Sequence, residues 1–133
     1  MMRAVLADTG PLYAAADESD LHHKRARREL QQLARDRREV VVAYPTLLEA
    51  YTLVLFRLGK NAADHWLTEM SLAALINPAP EDYRTAVSTI RGLAGQPITL
   101  FDATVAALAA RLGFEVWTYD HHFDAMRVSV WRG

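Results

Sequence analysis

Four acidic residues lie far apart in the sequence, each within an apolar stretch and each where a strand would end or a helix would begin. They are Asp8, Glu49, Asp102 and Asp120. Carboxylate oxygens are the ligands that hard divalent cations such as Mg²⁺ and Mn²⁺ prefer in proteins. If the fold brings these acids together, they form an oxygen-rich pocket that suits a metal-dependent enzyme acting on phosphate esters.

The elements that must position these acids alternate between strands and helices. Short apolar and β-branched runs predict buried strands at residues 4–7, 40–43, 114–118 and 128–131. Periodicity and stop residues predict helices at residues 11–16, 21–38, 45–58, 61–75, 81–93 and 102–112. Residues 76–78 fit either a short edge strand or a loop. Strands alternating with helices indicate an α/β fold with a parallel sheet wrapped by helices.

A parallel sheet explains how acids so distant in sequence can meet. Asp8 and Asp120 directly follow predicted strands, and sites in open parallel sheets form beyond the carboxyl ends of the strands. Glu49 and Asp102 lie in the first turns of helices that leave the same edge. The topology therefore predicts that all four acids share one rim of the sheet.

Gathering carboxylates requires something to neutralise them. Two like charges about 4 Å apart repel by roughly 4 kcal/mol at an effective dielectric constant near 20. A bound cation removes this cost, or one acid takes up a proton. Thr9 and Thr118 stand next to acids of the set, where their hydroxyls can hydrogen-bond a ligating carboxylate or a water molecule.

Each acid also has a purely structural interpretation. Glu49 stands three residues after Thr46, and Asp102 stands three after Thr99, as in a capping box. Asp8 could cap the helix that begins near Pro11, and Asp120 could cap a turn before His121. Four such acids on one rim favour a shared site over four separate caps.

Composition narrows the class of protein. The 133 residues are 51% hydrophobic, which predicts one domain spanning residues 1–133. The net charge of −1 gives no global basic field, although seven of the 15 Lys and Arg residues fall between residues 24 and 38. That stretch reads as a solvated helix face or as a local phosphate-binding patch.

The absence of cysteine excludes thiolate metal sites and fits a cytoplasmic location. Neither a signal peptide nor a membrane-spanning run is evident.

The sequence resembles a known family in four segments: LADTG, LLEAY, LFDATVAALAARLG and VWTYDHHF. In this order and spacing they are similar to PIN domains, and more narrowly to VapC-type toxins of toxin–antitoxin pairs. The resemblance implies an α/β/α sandwich with strand order 3-2-1-4-5 and a Mg²⁺- or Mn²⁺-dependent ribonuclease that cuts RNA by single-strand endonucleolysis. It places the family's acids and hydroxyls on Asp8, Glu49, Asp102, Asp120, Thr9 and Thr118.

The resemblance also implies partners. Such toxins pair with a small antitoxin, and they tend to form homodimers. Independently, the predicted helix over residues 45–58 is apolar around nearly its whole circumference, which indicates that more than one side is covered.

Two alternatives to a nuclease remain. One is a catalytically silent RNA- or protein-binding module of the same fold, although a pure binder gains little from clustered acids. The other is a phosphatase or receiver-like domain with Asp8 as phospho-acceptor. Phosphatases of that type require a second acid two residues on, where this chain has Gly10. Receivers require an acid pair before the first helix and a late lysine, and neither is evident.

Overall fold

A computed structural model describes residues 3–133 of the chain. Its strands are β1 (Ala4–Ala7), β2 (Glu39–Ala43), β3 (Ala74–Ile76) and β4 (Glu115–Trp117). Its helices are α1 (Thr9–Ala16), α2 (His23–Arg35), α3 (Tyr44–Leu58), α4 (Lys60–Met70), α5 (Pro80–Gly92), α6 (Leu100–Leu112) and α7 (His122–Ala125). The predicted alternation of strands and helices is confirmed.

The four strands form one parallel sheet in the order β3-β2-β1-β4. Alternate strand residues point to opposite faces, and each face carries its own apolar cluster beneath helices. Leu12, Ala26 and Leu33 of α1 and α2 pack on one face. On the other face the cluster includes Leu108 of α6 and Phe123 of α7. The three-layer α/β/α arrangement is therefore confirmed for these four strands.

The predicted fifth strand over residues 128–131 is wrong as a strand. Val130 instead makes one isolated parallel bridge to Val116 of β4. Two backbone hydrogen bonds of 2.8 Å flank it, from the Val116 N–H to the Ser129 carbonyl and from the Trp131 N–H to the Val116 carbonyl. The segment thus lies beside β4, where the fifth strand was expected, but its pairing is too short to make a ladder.

A second boundary was wrong at the other edge of the sheet. The helix predicted over residues 61–75 ends at Met70, and Ala74 and Leu75 belong to strand β3. Ile76 completes this strand, so the edge-strand interpretation holds for the first residue of the ambiguous segment 76–78. A short apolar run has no periodicity that separates strand from helix.

Helix α6 is positioned by small side chains. Of its 13 residues, seven in succession are buried, and four of these are alanines: Ala103, Ala106, Ala107 and Ala109. Alanine lets a helix approach its neighbours closely, and α5 packs along α6. The helix ends at Gly113, whose φ of 72° lies in the left-handed region that glycine adopts without strain. Asp102 in the first turn is therefore carried on a tightly held helix.

A buried ion pair joins α5 to α6. Asp82 is 2% exposed and accepts two hydrogen bonds of 2.8 Å from Nε and Nη2 of Arg111. The same carboxylate accepts a 2.7 Å bond from the Ala79 N–H and so caps α5. Arg111 lies in the last turn of α6, at the opposite end from Asp102.

Within residues 3–133, no helix is both long and apolar enough to cross a lipid bilayer.

Candidate functional site

Asp8 lies at the carboxyl end of the central strand β1. Its backbone N–H donates to the Trp117 carbonyl at 2.9 Å, which continues the pairing of β1 with β4 by one residue. The side chain is 6% exposed, and its Oδ2 accepts a 2.8 Å hydrogen bond from the Thr118 hydroxyl. The first predicted acid is thus held between the ends of two neighbouring strands.

Thr118 links two acids of the set. While its hydroxyl donates to Asp8, the same oxygen accepts a 3.0 Å bond from the Asp120 N–H. Asp120 Oδ1 in turn accepts a 2.9 Å bond from the His122 N–H, and Nδ1 of the His122 ring lies 2.9 Å from the same oxygen. The turn interpretation of Asp120 is therefore correct as far as it goes, yet the turn also places this residue beside the Asp8–Thr118 pair.

The other two acids come from helices α6 and α3. Thr99 caps α6 by accepting a 3.0 Å bond from the Asp102 N–H, so the Thr99 half of the predicted capping box is confirmed. The half-buried Asp102 carboxyl lies near enough to Asp120 and Glu49 for their charges to raise its pKa. Glu49 itself is exposed.

Electrostatics joins the four acids into one group. Burial raises the pKa of Asp8 to about 6, the hydrogen bond of Thr118 and the nearby backbone N–H of Thr9 oppose this rise, and the charges of Asp102 and Asp120 add to it. Burial is also the largest cause that raises the pKa of Asp102. Clustered carboxylates with raised pKa values are typical of functional sites, since structural acids are usually paired with cations.

Two of the structural interpretations fail. Helix α3 begins at Tyr44 with Ala43 as its cap, so Thr46 and Glu49 do not form a capping box. Asp8 occupies the cap position of α1, but its side chain makes no capping hydrogen bond. These two acids are therefore not explained by helix capping.

The carboxylate and hydroxyl oxygens of this site are the kind of ligand that a hard divalent cation binds. Oδ1 of Asp8 and the hydroxyl of Thr9 are buried and find no hydrogen-bond partner within residues 3–133. A buried carboxylate oxygen without a partner is costly, and a cation relieves that cost. Across the same residues, however, no three His, Asp or Glu side chains are arranged closely enough to enclose a metal ion. The arrangement suits Mg²⁺, which keeps several waters and needs few direct carboxylate ligands.

Two buried acids escaped the sequence interpretation: Asp82, which pairs with Arg111, and Glu29. Glu29 of α2 is 7% exposed, and its Oε1 accepts bonds from Trp117 Nε1 at 3.1 Å and the Tyr119 hydroxyl at 2.6 Å. Glu29 stands in a run of basic residues, which favours a solvated face. The signal that could have found it is its place between Ala26 and Leu33, the two buried apolar residues of α2.

A parallel sheet between two layers of helices, with acids along its carboxyl edge, defines the class of fold. Comparison with known proteins assigns the family. The PIN domain family model matches residues 5–128. The chain therefore belongs to the PIN domain family. No curated protein matches the sequence at a significant level.

Several solved structures share this fold. VapC20 of Mycobacterium tuberculosis, a sarcin–ricin-loop-cleaving toxin, is 20% identical with a TM-score of 0.82 over 97% of this chain and 99% of that chain. VapBC2 of Rickettsia felis, bound to a promoter DNA fragment, is 16% identical with a TM-score of 0.77 over 96% of each chain. A toxin–antitoxin complex of Klebsiella pneumoniae is also 16% identical, with a TM-score of 0.74 over 96% of each chain.

Proposed function

We propose that the protein is a metal-dependent endoribonuclease that hydrolyses RNA phosphodiester bonds and serves as the toxin of a toxin–antitoxin pair. The observation that carries this proposal is the buried Asp8, whose pKa of about 6 reflects burial and the nearby charges of Asp102 and Asp120. A protein gains no stability from such an arrangement, because each carboxylate disfavours the ionisation of the next. Its presence on the carboxyl edge of a PIN fold supports a catalytic use.

The chain's own side chains have distinct roles in this proposal. Asp8, Asp102, Asp120 and Glu49 would hold Mg²⁺, or Mn²⁺ as a substitute, through carboxylate oxygens and intervening waters. When bound, the cation supplies positive charge against the scissile phosphate and lowers the pKa of a water molecule.

Two threonines orient the acids. Thr118 fixes one oxygen of Asp8 through its hydrogen bond, so the other oxygen stays free of protein donors within residues 3–133. The buried hydroxyl of Thr9, next to Asp8, is proposed to bond a ligand or water in the loaded site. RNA with its anionic backbone would approach only a neutralised rim, since four bare carboxylates repel phosphate.

Asp120→Asn is expected to lower the rate of RNA cleavage by at least about 100-fold, because changes even around metal ligands cost 10–100-fold. The measurement is cleavage of a random-sequence single-stranded RNA pool with Mg²⁺, with Mn²⁺ and with EDTA. Asp124→Asn is the matched control: Asp124 is only four residues away, but it is exposed and paired with Arg132. Full metal-dependent activity in Asp120→Asn would contradict the site assignment.

The rival interpretation, a silent binding module, makes a different prediction. It requires saturable RNA binding without cleavage, and no saturable Mn²⁺ binding at millimolar concentration by titration calorimetry. The nuclease instead binds Mn²⁺, and Asp8→Asn weakens that binding.

A small antitoxin and a second copy of the chain are the proposed protein partners. Large apolar side chains lie open to solvent, among them Leu48 and Phe56 on one face of α3, which are 67% and 81% exposed, and Leu72, which is 90% exposed. An open groove of about 690 Å³ also runs between α2 and α4. Exposed apolar surface of this kind is typical of protein interfaces.

The partners are tested by light scattering after gel filtration. The chain alone is expected at twice its 14.9 kDa mass. Where a small reading frame adjoins the gene, coexpression with its product is expected to give a larger complex without ribonuclease activity. A monomeric chain would contradict the dimer, and full activity in the complex would contradict the antitoxin role.

A further inference from the structure

We propose that Glu29 is a positioning residue that holds the segment carrying Thr118 and Asp120 in its active geometry. This inference deepens the proposed nuclease function and rests on it. Glu29 is far from the four acids in sequence and lies on α2, a helix that contributes none of them. It touches none of the reacting groups, so any effect on catalysis must pass through its neighbours.

The contacts of Glu29 fall on both sides of Thr118. One carboxylate oxygen accepts the indole N–H of Trp117 and the hydroxyl of Tyr119, which are the residues immediately before and after this threonine. In extended chain, alternate side chains point to opposite sides. A clamp on residues 117 and 119 therefore turns the side chain of 118 the other way, where it bonds Asp8.

The clamp is itself held in place. Nε of Arg25 lies 3.4 Å from Oε2 of Glu29, and its guanidinium carbon lies 4.2 Å from the centre of the Tyr119 ring. The Tyr119 ring also reaches the first turn of α1, since a Cβ on Gly10 would lie 4.0 Å from its Cδ2. Tyr119 thus joins α2 to the start of the helix that follows Asp8.

A purely structural role would be the simplest account of a buried glutamate, and it predicts something different. Removing the carboxylate would then lower stability without changing the folded site. Residues 118–120 lie outside regular secondary structure, because β4 ends at Trp117 and α7 begins only at His122. The bonds between Asp120 and His122 hold the end of this connection, whereas the Glu29 bonds and the Thr118 hydroxyl link it to α2 and to Asp8.

The test compares two substitutions that remove a buried carboxylate. Glu29→Leu leaves the indole and phenol groups without their acceptor, whereas Asp82→Leu removes another buried carboxylate and breaks its pair with Arg111. Arg111 lies about 14 Å from Asp102 along α6 at 1.5 Å per residue. Both variants are expected to lose stability. With assays kept well below both melting temperatures, only Glu29→Leu is expected to lower kcat, by about tenfold, with KM little changed.

A readout independent of catalysis accompanies the kinetics. The Asp120 N–H is bonded to the Thr118 oxygen, so its hydrogen exchange reports the geometry of the segment directly. We expect exchange of the Asp120 N–H to be at least about tenfold faster in Glu29→Leu and unchanged in Asp82→Leu, when each variant is measured at the same interval below its melting temperature.

Two further variants grade the effect. Tyr119→Phe, which removes one of the two bonds, is expected to have a kcat and an exchange rate between those of wild type and Glu29→Leu. Glu29→Gln, which keeps Oε1 as an acceptor, is expected to restore most of the lost kcat.

The outcomes separate the two proposals. If the wild type cleaves no RNA with either metal, the proposed function fails, while the exchange measurement still decides whether Glu29 positions the segment. The positioning role is overturned if Glu29→Leu keeps the wild-type kcat and the wild-type exchange rate at the Asp120 N–H. It is also overturned if Asp82→Leu changes both quantities by the same factors as Glu29→Leu.

Discussion

Asp8→Asn is expected to abolish RNA cleavage and at the same time to make the protein more stable at neutral pH. The loss of activity, at least about 100-fold, follows from removing the most buried of the proposed metal ligands. The gain in stability follows from the raised pKa of Asp8, about 6 against an ordinary 3.8. Such a shift corresponds to an upper bound on the order of 3 kcal/mol at neutral pH. Thermal unfolding at pH 7.5 without divalent metal is the measurement, and a rise of several degrees is expected.

The pH dependence of that gain identifies its cause. Because the folded-state pKa of Asp8 lies above its unfolded value, ionisation destabilises the fold as pH rises from about 4 to 6. Below pH 4 the carboxyl is neutral in both states, so wild type and Asp8→Asn should differ little there. Above pH 6 the difference should be full and constant.

Divalent cation supplies the control for this prediction. Added Mg²⁺ or Mn²⁺ should raise the melting temperature of the wild type, because the cation binds the folded state. It should raise the melting temperature of Asp8→Asn much less. A lower melting temperature in the variant at pH 7.5, or a gain that persists unchanged at pH 3.5, would show that Asp8 is a structural residue.

Arg111→Met is expected to lower the free energy of unfolding while leaving catalysis intact. The substitution keeps the aliphatic stem but leaves the buried Asp82 carboxylate without its two guanidinium bonds, which is destabilising. Because the Arg111 side chain is 35% exposed, solvent screens part of this loss. Chemical denaturation at pH 7.5 measures the loss, and the melting temperature should fall by several degrees.

This loss has the opposite pH dependence from that of Asp8. The Arg111 guanidinium holds the pKa of Asp82 below its usual range, so the pair contributes stability above the unfolded pKa and loses it as pH falls through the folded pKa. Wild type and Arg111→Met should therefore converge in acid. Arg84→Met, at an exposed position on α5, is the matched control and should change stability little. A loss as small as that of the control would mean that the ion pair is energetically neutral.

The sequence contained enough information to place the acids on one edge of the sheet. Asp8 directly follows a strand, Asp102 follows a capping threonine, and these local rules survive in the structure because they depend on neighbours in the chain. The family resemblance agreed with these placements. Local rules could not predict the solvent exposure of each acid. Glu49 lies open to solvent, while Asp8 is 6% exposed.

The failures share a physical cause. Whether residues 128–131 pair with β4 over one bridge or over a full ladder depends on contacts with a distant segment. The role of Glu29 depends likewise on Trp117 and Tyr119, about ninety positions further along. Propensity and periodicity describe the chain's own neighbourhood, so long-range partners of this kind stay outside their reach.

The alanines of α6 have a consequence for how this domain tolerates change. Ala103, Ala106, Ala107 and Ala109 carry no functional group, yet each is at most 9% exposed in a tightly packed helix. A larger side chain there costs about 1–3 kcal/mol and pushes the helix, and Asp102 with it, away from the sheet. In a saturation library scored by the proposed ribonuclease activity, these alanines would be as intolerant as the acids. Intolerance to substitution would therefore mark more residues than the proposed catalytic acids. A parallel measurement of protein abundance would separate the residues needed for the reaction from those needed for folding.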